Sequence, residues 1–265
     1  MKIFEILDYE NMDFVGILLY YEKKEEFIIE LADGLDEWTA PLLFTALVKK
    51  GIHTVPRDLS RLWVQERIIP SGRQNIGEIL KTHKLASYDE MKLLELSDGR
   101  CSQDCLYVRK TGILPAFVQS RREKNVTECI PCDNHELLCF FSDDTIKKIR
   151  LAEHKEIDGV SKITKTEALF QSCMPGTDGY YITFNNSIDI PSAILYDIGQ
   201  PVPLSRNDFL AFVQKNILDT SECCSLLECS RQNLAYLTRK KKLSPVKEAV
   251  RGNLYLKGEI LTNTW

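Results

Sequence analysis

An α+β fold is what the sequence predicts. It would comprise two small α+β domains, over residues 1–119 and 126–212, followed by a helical module with a hairpin over residues 216–265. Three observations carry this. Strand-like apolar runs come as hairpin pairs, Phe14–Tyr21 with Phe27–Leu31 and Glu136–Ser142 with Thr145–Leu151. Segments with helical spacing of large apolar residues follow each pair. From Leu218 onward, two segments that each begin at a helix-capping residue precede a second hairpin signal.

Composition sets the outer limits. A chain of 265 residues can hold two or three hydrophobic cores, and 44% hydrophobic with 27% charged residues argues against disorder. No apolar run approaches the roughly 20 residues that span a bilayer, so no membrane partner is expected. The opening MKIFEILDYENMD is too acidic and polar for a secretory signal. Nine cysteines then read as reduced thiols, and a cytoplasmic location is expected. A net charge of −4 argues against nucleic acid coating the whole surface and leaves room for a local basic patch.

In the first piece the hairpin turns at Glu22–Glu26. Glu37–Lys50, closed by Gly51, and Leu59–Ile69, closed by Pro70, are expected helices, followed by Arg73–Leu85 and Tyr88–Leu96. Ser120–Asn125 is polar and charged, as a linker would be. The second piece pairs its strands across Asp143-Asp144. A helix near Thr166–Gln171, a strand at Gly179–Asn185 and a helix at Ile190–Tyr196 follow. The stretch HELLCFFSDDTIKKIRL…ALFQS…GYYITFNNSIDIPSAILYDIG resembles a bacterial α+β family, domain of unknown function 2442. That resemblance implies a fold and brings no catalytic residues with it.

The third piece is the most informative. Asp219-Thr220-Ser221-Glu222 is a capping-box pattern, and Cys223, Cys224, Leu226 and Leu227 are the apolar positions of the helix it opens. After Glu228-Cys229, Ser230 can cap a second helix, Arg231–Lys240. KLSPVK, a Gly252-Asn253 turn and LYL then look like a two-stranded wing. This is the layout of a winged helix-turn-helix. TSECCSLLECSRQNLAYLTRKKKLSPVK resembles the excisionase and MerR-type DNA-binding modules. Cys223-Cys224 stands where that pattern has two small Ala residues, and Glu228 where it usually has Gly. A Glu held in a left-handed turn is strained by roughly 1 kcal/mol. The resemblance implies DNA binding in transcriptional control or mobile-element biology in a bacterium.

Helical spacing of about 100° per residue assigns the faces of the second helix. Leu234 and Leu237 point inward with Asn233 near them, while Gln232, Tyr236 and Arg239 point outward, flanked by Arg231 and Lys240. Arg231, Gln232, Tyr236 and Arg239 are the candidate base contacts, since Gln matches adenine and Arg matches guanine in a major groove. Ser230, Lys240, Lys241, Lys242, Arg251 and Lys257 are the candidate phosphate contacts. One such module covers few base pairs, so a homodimer is expected.

The tripeptide RQN also occurs earlier, in SGRQNIGEILKTHKL, where Ile76, Ile79 and Leu80 are expected inside and Gln74, Glu78 and Lys81 outside. Charge separates the copies. Ser71–Asp98 has four basic and five acidic residues, a net −1, whereas the equally long Ser230–Lys257 has eight basic residues and one acid, a net +7. The first copy therefore reads as a packing or partner helix.

Cys101-x3-Cys105 and Cys129-x2-Cys132, with His135 near, could make a zinc site, but Cys129 and Cys132 flank Ile-Pro beside a strand and not a tight Gly-rich turn. Separate thiols are the expected reading, with no metal and no cofactor. His83 is expected to be a packed histidine. GRCSQD (Gly99–Asp104) is the best candidate functional loop of the first piece. With no P-loop, GxGxxG, HExxH or Ser-His-Asp pattern, nothing requires an enzyme. The favoured function is a non-enzymatic DNA-binding regulator; the alternative is a protein-interaction adaptor or inhibitor acting through the N-terminal domains.

Overall fold

The computed structural model describes residues 1–250, 252–256 and Ile260. The N-terminal residues build an antiparallel sheet from β1 (Lys2–Asp8), β2 (Phe14–Tyr21), β3 (Glu26–Leu31), β4 (Thr54–Val55) and β5 (Leu106–Thr111), in the order β4-β3-β2-β1-β5. The β2–β3 hairpin is the expected one, with Tyr21 opposite Glu26. β1 and β5 are additional. Their charges hide them in the sequence, and the ladder reconciles those charges: Glu5 faces Arg109 across β1–β5, with an N–H···O contact of 2.9 Å.

Both faces of this sheet are covered, which is why β2 reads as a continuous apolar run. Phe4, Leu18, Phe27, Ile29 and Leu31 pack against α2 (Arg57–Gln65) and α4 (Glu90–Ser97) through Trp63, Val64, Met91 and Leu94. Ile17, Leu19 and Ile28 on the other face meet Val118, Tyr180 and Tyr181. Gly16 is required where β2 and β3 approach, because a Cβ there would lie 2.4 Å from the Glu30 carbonyl oxygen.

Several expectations are corrected in this unit. Glu37–Lys50 yields only a 3-10 turn at Leu42–Phe44 and α1 (Thr45–Val48). Asp36 draws the Trp38 and Thr39 amides into a side-chain-closed turn, and Pro41 has no N–H to extend a helix through it. The first RQN helix, α3 (Ile76–Thr82), starts at Asn75 without a side-chain cap, Ser71 lies outside it, and none of its residues is buried. Ile76, Ile79 and Leu80 are half-buried, Gln74, Glu78 and Lys81 exposed as expected, and His83 is exposed instead of packed.

Ser120–Asn125 does not act as a free linker. Ala116–Arg122 is a helix, α5, whose Val118 is fully buried. Arg121 donates 2.8 Å hydrogen bonds to the fully buried Glu30 carboxylate and to the Leu31 carbonyl, and also pairs with Asp33. Arg122 pairs with Asp178 at 2.7 Å, and the Tyr21 hydroxyl donates to the same carboxylate. A second set joins Arg57 to Asp189 at 2.6 Å and to Glu26 at 3.0 Å. The N-terminal sheet and the residues after it are thus joined by an apolar face rimmed with ion pairs.

The middle residues form β6 (Val126–Cys132), β7 (Glu136–Phe141) and β8 (Ile146–Arg150), then α6 (Val160–Ile163), α7 (Glu167–Gln171), β9 (Cys173–Pro175), β10 (Tyr181–Phe184), β11 (Ile188–Pro191), α8 (Ser192–Ile198) and β12 (Gln200–Pro201). They make two sheets, β12-β8-β7-β6 and β11-β10-β9, around a core that includes Leu137, Phe141, Ile149, Phe170, Ile182 and Phe184. The strand pair, the strand after the loop and both helices match the expectation within a few residues. β6 is new and contains the Cys129-x2-Cys132 pattern. The turn works through Asp143, which accepts from the Thr145 amide and hydroxyl, while Asp144 takes φ +65°.

Arg206–Asn216 is a helix, α9, which runs across the expected 212–216 junction; its Phe209 ring lies 5.6 Å from that of Phe140. The C-terminal residues add β13 (Ile217–Leu218), α10 (Thr220–Leu226), α11 (Arg231–Arg239), β14 (Lys247–Val250) and β15 (Gly252–Leu256), with strand order β13-β15-β14. The fold is therefore α+β. Among the described residues no helix is long and apolar enough to cross a membrane.

Candidate nucleic-acid interface

Local sequence explains both helices of the C-terminal module. Asp219 accepts the Glu222 amide at 2.8 Å while Glu222 accepts the Asp219 amide at 2.8 Å, a closed capping box that starts α10. The helix ends where Glu228 adopts φ +49° and the Cys229 amide returns to the Cys224 carbonyl at 3.0 Å. Ser230 then accepts the Asn233 amide at 3.2 Å and starts α11.

Burial orients the pair. Leu234 and Leu237, 1% and 4% exposed, pack with Cys223, Leu243, Tyr255 and Ile260, with Cys224 and Leu227 at the margin. Burial pushes the Cys223 thiol up to about 12, so it acts as a small apolar side chain. The β14–β15 hairpin is strapped to both helices. Tyr255 shares a hydroxyl contact of 3.1 Å with Thr238 and takes a hydrogen bond from the Asn253 side chain, while the Asn253 amide donates to Thr220 Oγ1 at 3.3 Å. Gly252 allows this approach: it sits at φ +119°, and a Cβ there would lie 2.6 Å from Thr220 Oγ1.

The face of α11 opposite Leu234 and Leu237 is open. Arg231, Gln232, Tyr236 and Arg239 are all exposed, as are Ser230, Lys240, Lys241 and Lys242, so these expected contacts form one continuous strip. Tyr236 is 48% exposed, with the Lys240 ammonium 5.9 Å from its ring centroid. Arg231 donates to Ser221 Oγ at 3.0 Å, which ties the start of α11 to α10 and limits the arginine's sweep. Asn233 corrects the projection. It is exposed, because the stripe it shares with Leu237 is covered only at the Leu237 end. Arg251 and Lys257 lie outside the described residues.

The cations of this strip differ from the partly or fully buried arginines of the preceding units. Arg57, Arg67, Arg121 and Arg122 are each held by carboxylates. Arg231, Arg239, Lys240 and Lys241 have no carboxylate partner among the described residues. A strip of solvated cations around an amide and a phenol can donate hydrogen bonds to phosphates and base edges and offers one ring for stacking. It provides no nucleophile–base pair.

Other candidate groups have structural employment. Asp104 of the Gly99–Asp104 loop pairs with the buried Arg67 and accepts the Leu106 amide at 3.0 Å, and Arg100 lies over the Tyr9 and Tyr107 rings. Among the described residues no cluster of three or more His, Cys, Asp or Glu side chains could hold a metal ion. Cys129 neighbours Cys173 instead. Sequence reading missed the polar cleft of about 230 Å³ between α5 and the middle sheets, lined by Gln119, Arg122, Glu123, Asn125, Ser142 and Asp178. Four of its residues are local, but Ser142 and Asp178, which close it, are distant in sequence, no motif marks it, and its Arg122–Asp178 pair is internally neutralised. No protein-family model, curated protein or solved structure matches the chain.

Proposed function

We propose that the chain is a non-enzymatic DNA-binding protein that reads duplex DNA with α11 of a winged helix-turn-helix, in transcriptional or mobile-element regulation. The observation that carries this reading is the exposed strip Arg231-Gln232-Tyr236-Arg239 continued by Lys240 and Lys241, whose cations have no carboxylate partner among the described residues, on a helix anchored by Leu234 and Leu237. Gln232 and Arg239 address base edges in the major groove, Arg231 is preset by Ser221, and Ser230 with Lys240, Lys241 and Lys242 takes phosphates. The β14–β15 hairpin is the wing, and a homodimer reads two half-sites.

Retention on duplex DNA at about 50 and 200 mM salt tests the reading, since phosphate contacts make affinity fall steeply with salt. Steep salt dependence, lost in Arg231→Ala combined with Arg239→Ala, is expected. Absence of retention at the lower salt would refute it. One observation favours the second reading, a protein-binding adaptor: Trp38 and Leu42 of the N-terminal unit are 86% and 93% exposed.

A further inference from the structure

Cys129 lies on β6 opposite Cys139 of β7, and Cys173 opens β9 opposite Phe184 of β10. β6 is the outer strand of one middle sheet and β9 the outer strand of the other. The two cysteines therefore meet at a seam that no backbone ladder closes. Their sulfurs are 3.1 Å apart, and both residues keep partial solvent exposure, whereas Cys139 beside them is fully buried. A disulfide bond is about 2.05 Å long, so closure requires an approach of about 1 Å. The CxxC neighbour is the poorer partner. Three residues along a strand place Cys132 on the opposite face from Cys129, and its thiol contacts the Ile130 carbonyl at 3.7 Å.

We propose that Cys129 and Cys173 form a reversible disulfide by exchange with small-molecule disulfides of the glutathione type. One protein thiol, as thiolate, attacks a sulfur of the small disulfide. This forms a mixed disulfide and expels one glutathione thiolate, which takes up the proton. The second protein thiolate attacks the protein sulfur of the mixed disulfide and expels the other glutathione in the same way. Two electrons and two protons leave the protein pair, and the small disulfide becomes two thiols. The product staples β6 to β9 beside the Thr177–Gly179 turn, whose Asp178 holds Tyr21 and Arg122. The neighbouring Cys129 and burial both push the Cys173 thiol up, so exchange is slow near neutral pH and quickens as pH rises.

The full-length wild-type protein is incubated in glutathione buffers from fully reduced to mostly oxidised, and free thiols are then alkylated. Peptide mapping without reduction should find residues 129 and 173 linked in more than half of the molecules at the oxidising end. Dithiothreitol should return both to the alkylated form. Cys132→Ser and Cys139→Ser should keep the link, and Cys129→Ser should leave Cys173 alkylated or glutathionylated. Separate alkylation of both thiols in oxidising buffer would overturn the proposal, as would a Cys173 link that survives Cys129→Ser. The wild-type measurement decides the matter even if a variant fails to fold, and it is independent of DNA binding.

Discussion

Glu228 offers a quantitative test of how the C-terminal module is built. Its φ of +49° closes α10, and an L-residue in that region costs about 1–2 kcal/mol, whereas Gly adopts it freely. Glu228→Gly removes that strain but adds unfolded-chain freedom worth about 0.5–1 kcal/mol. It also removes an exposed negative charge from the negative end of the α10 dipole, a favourable change of at most about 0.5 kcal/mol. The net expectation is stabilisation by about 0.5–1.5 kcal/mol. Hydrogen exchange on the full chain reads it locally. Amides of Leu234 and Leu237, at the contact between the two helices, should exchange about 2- to 10-fold more slowly, since about 1.4 kcal/mol is a factor of ten. Glu228→Ala is the control, because it removes the charge and keeps the strain, and it should gain little. Unchanged or faster exchange in the Gly variant, or an equal gain in the Ala variant, would refute the reasoning.

Three further outcomes follow from named contacts. Lys240→Ala and Lys241→Ala should each reduce the slope of log affinity against log salt by about 0.9 without changing the preferred sequence, in titrations across salt; a changed preference would contradict their role as phosphate contacts. Gly179→Ala should lower the urea midpoint by the equivalent of about 2 kcal/mol or more, because the position sits at φ +72° and a Cβ would fall 2.1 Å from the Val126 carbonyl oxygen. Burial raises the Glu30 carboxyl against the pull of Arg121 and Thr54. Between the unfolded pKa of about 4.3 and the raised folded one, the folded state holds the extra proton, so this group's stabilising contribution is lost as pH rises through that window. The stability of Glu30→Gln relative to wild type should therefore increase with pH over that range in paired urea melts, and a flat difference would contradict it.

Local signals fixed a definite part of this protein in advance. The capping box at Asp219, the Ser230 cap and the Leu234/Leu237 stripe each depend on residues within a few positions, and each was legible. So was the exposed strip of α11, because side-chain direction on a helix follows from spacing alone. The β2–β3 and β7–β8 hairpins were legible because each is two apolar runs joined by a short charged turn. For Glu228 only the resemblance to a pattern with Gly there raised a left-handed turn, which the structure has at φ +49°.

What only the tertiary structure decided involves partners distant in sequence. β1 and β5 are strands because Phe4, Ile6, Leu106 and Val108 are buried once the sheet forms, and the ladder sets Glu5 opposite Arg109. Ser120–Asn125 looked like a linker because nothing local announces that Arg121 neutralises Glu30 and Arg122 neutralises Asp178. Trp38 and Leu42 had the spacing of a buried helix face, yet Asp36 and Pro41 broke the helix and left both exposed. Cysteine spacing left Cys101, Cys105, Cys129 and Cys132 as separate thiols and said nothing of Cys173, which the fold brought to Cys129. Spacing along a chain determines which residues share a face; which faces meet depends on how separate elements pack, and that is where Glu30 and Cys173 found their partners.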